Sequence, residues 1–200
     1  MTNKLVIVLR IDSPGGSGSA SDLIWREIIK TTDEDTTNVK PFIASMSDVA
    51  ASGGYYIACQ ADTIVAYPTT VTGSIGVLGG RLNLSGFMNK IGITYDRIEY
   101  GKNSSFWSGG KLWTEEEQER FRKLIIDFYG KFVTKVVSGR EHIGLDSLQV
   151  DSIALGRVWS GLDAKDNRLV DEIGGLFRSI DIAKKAAKIP IIIILCLSAL

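Results

Sequence analysis

The chain reads as an α/β protein, and three observations predict it. Short aliphatic or β-branched runs alternate with segments of helical periodicity. The first apolar run ends in a glycine turn, Asp12-Ser13-Pro14-Gly15-Gly16, that opens a helical stretch, the layout of a βα unit. The second ends in another small-residue turn, Val49-Ala50-Ala51-Ser52-Gly53-Gly54-Tyr55-Tyr56, which also opens a helix.

Taken in order, residues 5–11 are a β-branched and aliphatic run, read as a buried parallel strand. Residues 20–30 form a helix, with Leu23, Ile24, Ile28 and the stem of Trp25 on its inner side. Residues 31–38 are polar and form a loop. Residues 41–46 are the second strand, followed by the Ser52 turn and a helix through Cys59. Residues 63–66 make a third strand, closed by Pro68. Residues 72–77 are a tight, glycine-punctuated segment. A short helix at 87–91, a strand at 94–99 and a loop at 100–113 with exposed aromatics follow. A long helix starts at Thr114, which with Glu117 makes a capping box. Phe121, Leu124, Ile125, Phe128, Phe132, Val133 and Val136 fall on one of its faces. Beyond it come a helix at 147–154, a strand-like piece at 157–159, a turn and short helix at 161–167, and a final helix to about Lys188. The apolar tail at 191–197 is shorter than the ~20 residues a membrane-spanning helix needs. It reads as a buried strand, the start of a truncated span, or a non-native end. Neither end reads as a targeting signal.

Two hundred residues suit one domain with a substantial core. With 44% hydrophobic and 23% charged residues, the composition is that of a globular chain and disorder is not expected. A formal net charge of zero removes the electrostatic case for nucleic acid. Cys59 and Cys196 form no spaced motif and His142 is the only histidine, so a Cys/His metal site is not expected.

Ser52 is the leading candidate for chemistry. A hydroxyl at a turn opening a helix, beside a free backbone N–H, offers a nucleophile and an oxyanion donor. The same position suits a serine that merely caps the helix. The Gly-x-Ser-x-Gly elbow does not match, because Ala50 stands at its first glycine. A Ser-His-Asp triad would rest on His142, which reads as a solvated helix-end residue in Gly139-Arg140-Glu141-His142. A lysine is the better base, since burial lowers its pKa toward neutrality. Lys102 lies in a suitable loop, although an exposed loop cation is the plainer reading. Gly15 and Gly16 offer an amide to an oxyanion, with Gly53 as the other donor. The rival readings are a plain βα turn or a phosphate cradle. The cradle is weak, because Gly-Lys-Ser/Thr is absent and Gly16-Ser17-Gly18 lacks the third glycine of the dinucleotide fingerprint. Ser74, between Gly73 and Gly76, reads as close backbone packing. The loop of Trp107 and Trp113 suits either apolar peptide side chains or an oligomer contact.

Four segments carry a family resemblance: Leu9-Arg10-Ile11-Asp12-Ser13-Pro14-Gly15-Gly16, Ala50-Ala51-Ser52-Gly53-Gly54-Tyr55-Tyr56-Ile57-Ala58, Thr72-Gly73-Ser74-Ile75-Gly76-Val77 and Val158-Trp159-Ser160-Gly161. In this order they resemble the signal peptide peptidase A (protease IV) family, peptidase family S49, and the match runs from about Lys4 to Lys188. The resemblance implies a ClpP/crotonase-like layered fold with short parallel strands and flanking helices. It implies a membrane-associated serine protease on the extracytoplasmic side. Such enzymes degrade released signal peptides as ring or dome oligomers with a Ser–Lys dyad and no cofactor. By position Ser52 matches the nucleophile, and the amides of Gly53 and of the Gly15-Gly16 turn match the oxyanion hole.

The chain departs from the short form of the family, which carries its lysine in Gly-x-Tyr-Lys. Here the segment is Gly101-Lys102-Asn103-Ser104, with Ser104 at the lysine position. That resembles the C-terminal half of the long, two-domain form, in which one half gives the serine and the other the lysine. The expected base is therefore a lysine from another domain or subunit, with Lys102 as the alternative. The expected domain spans 1–188, truncated on its N-terminal side, with 189–200 as a tail unlike the family. Two rival functions stay open: a non-catalytic domain that builds an oligomer or binds peptides, and an acyl-CoA enzyme using the same two amides.

Overall fold

Two parallel strands, β1 (Ile7–Ser13) and β2 (Phe42–Ala51), organise the sheet. The computed structural model describes residues 5–34 and 39–188 and the backbone of 194–198. Its contacts separate one unit, Met1–Gly76 with Tyr129–Leu200, from a second, Val77–Phe128. In the first unit, Phe42, Ile43, Ala44 and Met46 are all buried, as a strand covered on both faces requires. Along one side of β2 runs β1. Along the other, β3 (Thr63–Ala66) takes its first half and β4 (Val71–Gly73) its second. β5 (Val158–Ser160) pairs antiparallel with β4, and β6 (Glu172–Ile173) pairs parallel with β3. The backbone of β7 (Ile194–Ser198) pairs parallel with β1, so of the three readings of the tail this segment takes the strand.

The helices are α1 (Gly18–Ile29), α2 (Gly53–Ala58), α3 (Ser85–Lys90), α4 (Glu115–Arg140), α5 (Ser147–Ile153), α6 (Gly161–Asp166) and α7 (Leu176–Ala187). α7 lays Ala183 and Ala187 on the sheet against Val8, Ile43 and Val65. Among the described residues, no helix is long and apolar enough to cross a membrane.

In the second unit, Phe106, Trp107, Trp113 and Phe121 form a local aromatic cluster with ring centroids 4.7–6.5 Å apart. The capping box forms as expected: Glu117 accepts from the Thr114 amide at 2.9 Å, and Thr114 Oγ1 accepts from the Glu117 amide at 3.2 Å.

Other expectations need correction. β2 continues to Ala51 instead of ending at Met46. Ile11 pairs with Met46 but Ser13 with Ala50, so β2 gains residues in a bulge that absorbs its polar Ser47 and Asp48. β4 and β6 pass unread because strands of three and two residues are too short to show a period. Residues 94–99 are not a strand. Tyr95 and Ile98 are exposed, and no described strand pairs with them. Leu124 points outward, while Phe132 and Val136 of the same helix are buried. α1 also turns differently: Ser21 is its buried residue, while Leu23 and Ile24 are exposed.

A buried ion pair locks the C-terminal end of α4. Arg140 is wholly buried and bonds both carboxylate oxygens of Asp171. Asp171 in turn accepts from the Ile64 amide at 2.7 Å, and the Tyr55 hydroxyl donates to the Leu169 carbonyl at 3.0 Å. One carboxylate thus joins α4 to β3, and the charge-assisted pair leaves neither ion uncompensated. Nearby, burial pushes the Cys59 thiol up to about 12, which keeps it a neutral packing group.

Arg140→Met strands Asp171 without its counter-ion. Urea denaturation is expected to show a loss of about 3–5 kcal/mol. An unchanged midpoint would refute this account of the α4 anchor.

Candidate active site

β2 ends at Ala51 and α2 begins at Gly53, so Ser52 alone makes the turn. It does so at φ 51° and ψ −115°, a left-handed conformation that costs a non-glycine residue about 1–3 kcal/mol. Two backbone bonds enforce it. The Ser52 amide donates to the Gly73 carbonyl at 2.9 Å, and the Ser52 carbonyl accepts from the Tyr56 amide at 2.8 Å. The Ser52 side chain makes no capping hydrogen bond, so the plain capping reading fails. Ser52, half-buried, stands at the start of α2, where the Gly53 amide has no acceptor within the helix.

The second turn packs directly on the first. Gly15 and Gly16 have φ of 98° and 141°, conformations that favour glycine. A Cβ on Gly15 would sit 2.6 Å from the Gly53 nitrogen and 2.7 Å from Ser52 Cβ. A Cβ on Gly53 would strike Ser21 Oγ and lie 3.5 Å from the Gly16 nitrogen. The two loops are therefore in van der Waals contact, and only glycine fits between them. The Gly15 amide is engaged, donating to Ser13 Oγ at 3.2 Å. Gly16 faces open space. Beside the two turns lies a cavity of about 300 Å³ with Leu9, Ile11, Ala20, Ile24 and Ile57 in its wall. The exposure of Ile24 thus belongs to a cavity wall, not to a core face.

A polar cluster holds α1, α2 and α4 together behind this site. The Tyr56 hydroxyl donates to Asp22 at 2.6 Å, and Lys135 pairs with Asp22 at 3.2 Å while lying 3.2 Å from the centroid of the Trp25 ring. The Tyr56 bond first, and then Lys135, hold the Asp22 carboxyl below the usual carboxylate range. Burial and the hydrogen bond to Asp22 push the Tyr56 phenol up. Sequence reasoning missed this cluster and Ser21, because the partners lie far apart in the chain and no motif joins them.

The remaining candidates sit elsewhere. His142 is exposed in the turn after α4, with Nδ1 at 3.1 Å from the Gly139 carbonyl, as a helix-end histidine. Lys102 belongs to the second unit, where it is exposed and paired with Glu116 at 3.3 Å. Ser104 in the same loop donates to the Gly101 carbonyl. Ser74 is left-handed at φ 49°, its amide donating to the Arg157 carbonyl at 2.7 Å, so the segment beyond β4 is fastened to the chain before β5.

With this geometry in view, the relatives are informative. The family model described as Peptidase family S49 matches residues 34–190. The chain is 44% identical over 185 residues to "Serine protease SPPA, chloroplastic" of Arabidopsis thaliana and 37% identical over 183 residues to "Protease 4" of Salmonella typhi. It is 35% identical over 183 residues to "Putative signal peptide peptidase SppA" of Enterococcus faecium. Each match covers 92% of this chain, but the chain spans only 26%, 28% and 51% of those proteins. Among solved structures, a ClpP1 variant from Listeria monocytogenes superposes with a TM-score of 0.55 at 18% identity, covering 88% of this chain and 78% of that one. The fold is therefore the ClpP-like one expected.

Two outcomes test the local geometry. Ser52→Gly relieves the left-handed strain against a smaller entropic loss, so thermal unfolding is expected to show a net gain of about 1 kcal/mol. Ser52→Ala is expected to leave stability nearly unchanged, because the side chain caps nothing. Asp22 has its folded pKa depressed, so its contribution is present above the unfolded carboxylate pKa and lost as pH falls through the folded one. The stability gap between wild type and Asp22→Asn should therefore be full near neutral pH and close on acidification. A gap that widened in acid would contradict the assignment.

Proposed function

The chain belongs to peptidase family S49, and from that premise we propose that it is the serine-bearing domain of a signal peptide peptidase, acting on apolar peptides through an acyl-enzyme. The observation that supports this most is the contact between the two turns, which sets the strained Ser52 against the Gly15-Gly16 loop. Ser52 Oγ attacks the scissile carbonyl and gives its proton to a lysine. With the Gly15 amide engaged by Ser13, the Gly16 and Gly53 amides receive the oxyanion, and Gly15 supplies the close approach. Each such donor is typically worth ~3–4 kcal/mol in the transition state. Collapse of the intermediate expels the amine, which takes the proton from the lysine, and water then releases the acyl group from Ser52. The apolar cavity beside Gly53 takes a side chain of the substrate.

The lysine of this reading comes from another domain or subunit. Lys102 is already held by Glu116, and the chain spans only part of its relatives. Function in an oligomer, at a membrane and on its extracytoplasmic side belongs to the same reading and rests on the family likeness.

The test is labelling of the purified chain by a fluorophosphonate, with and without a lysine-bearing partner domain, alongside cleavage of an apolar fluorogenic peptide. Ser52→Ala is expected to abolish labelling and to lower cleavage by about 10³-fold or more. Lys102→Ala is expected to match wild type. Labelling that survives Ser52→Ala, or a complete assembly that neither labels nor cleaves, would sink the peptidase reading. The latter outcome would favour an oligomer-building domain.

A further inference from the structure

The second unit contains a cavity of about 460 Å³, within the size range of small-ligand sites. Its wall has two characters. Arg81, Asn83, Lys111, Gln118 and Arg122 bring hydrogen-bond donors, and no carboxylate lines it. Leu112, Trp113 and Phe121 make the rest apolar.

Two of these donors are unused, while Gln118 is spent on the Trp113 carbonyl at 3.2 Å. Arg81 donates through Nη2 to the Lys111 carbonyl at 2.7 Å and lies over the Trp113 ring, 4.7 Å from its centroid. Its Nη1 is buried without a hydrogen-bond partner, and no described carboxylate pairs with it. Asn83 Nδ2 is in the same position. Turning that amide over is no remedy, because its oxygen already accepts from the Ser85 amide at 2.9 Å and the Ser85 hydroxyl at 2.6 Å. A covered, unpaired donor is costly to keep, so a partner there is favoured. Lys111 is balanced by Glu117 at 3.0 Å and Arg122 more loosely by Glu119 at 3.8 Å, so the surplus charge at the cavity is that of Arg81.

A ligand suited to this wall carries one negative charge, several acceptor lone pairs in a plane, and an apolar group next to them. Carboxylate meets guanidinium in that way. An inorganic oxyanion would satisfy the charge but leave Leu112 and the two rings bare. We propose that this cavity binds the C-terminal residue of a peptide. Its free carboxylate goes to Arg81 and Asn83 after a small rotation of the guanidinium, with Lys111 and Arg122 alongside, and its apolar side chain lies on Leu112, Trp113 and Phe121. This site is independent of the Ser52 chemistry.

The test is calorimetric titration of the whole chain with N-acetyl-Leu-Leu as the free acid, with the same dipeptide as its C-terminal amide, with N-acetylleucine, and with inorganic phosphate. The acid dipeptide is expected to bind at least tenfold more tightly than its amide and than phosphate. N-acetylleucine separates a terminal residue recognised within a peptide, which predicts weaker binding, from a small free acid. Arg81→Gln is expected to weaken the acid at least tenfold, and Arg122→Gln, at an exposed position, several-fold. Ser52→Ala should leave it unchanged. Equal binding of acid and amide, equal binding of phosphate or N-acetylleucine, or an affinity that both arginine variants leave untouched would overturn the proposal.

Discussion

The close approach of two strand-to-helix turns is the constraint on which the candidate site depends. Gly15 leaves no room for a side chain because Ser52 and Gly53 stand in its way, and Gly53 leaves none because Ser21 does. That contact sets where the hydroxyl and the main-chain amides lie relative to one another. The surrounding elements hold the contact in place. β1 and β2 deliver the turns side by side, the bulge in β2 re-aims its last residues, and the Gly73 carbonyl grips the Ser52 amide from the neighbouring strand. The conformational strain at Ser52 persists because several strands over-determine the position.

The first unit is anchored by different physics at different helices. Near α4 the anchor is ionic and buried, with Arg140 and Asp171 tying the end of the helix to β3. Near α7 it is apolar, with small residues letting the helix lie close on the sheet. Between α1, α2 and α4 it is a mixed cluster in which Trp25 and Asp22 share Lys135. The helix that follows Ser52 is only six residues long and has little stability of its own, so its orientation comes from these neighbours.

Much of this was legible in the sequence. β1 and β3 stand out as short aliphatic or β-branched runs, the long helix α4 is announced by its capping box, and both glycine turns stand out as punctuation between a strand and a helix. Ser52 and the three glycines stand out because small residues mark both junctions, and the structure brings those two turns into contact. What escaped was tertiary. The last residues of β2 are held as a strand by β1 and β4 despite Ser47 and Asp48. Residues 94–99 contain strand-favouring Thr94, Tyr95 and Ile98 yet have no described partner to pair with. Leu23 and Ile24 have the right period for a core face, but they line cavities. The Asp22 cluster and the Arg140–Asp171 pair join residues whose proximity only the fold creates.

The pairing of β4 has a temporal meaning. β4 holds the Ser52 turn through Gly73, and β4 is itself sandwiched between β2 and β5, with Val71 opposite Ser160. A ribosome must therefore emit the residues from β1 through β5 before the last strand of this brace arrives. Until then the nascent chain lacks the framework that holds the Ser52 backbone in its strained conformation, so the topology itself delays assembly of the candidate site during synthesis.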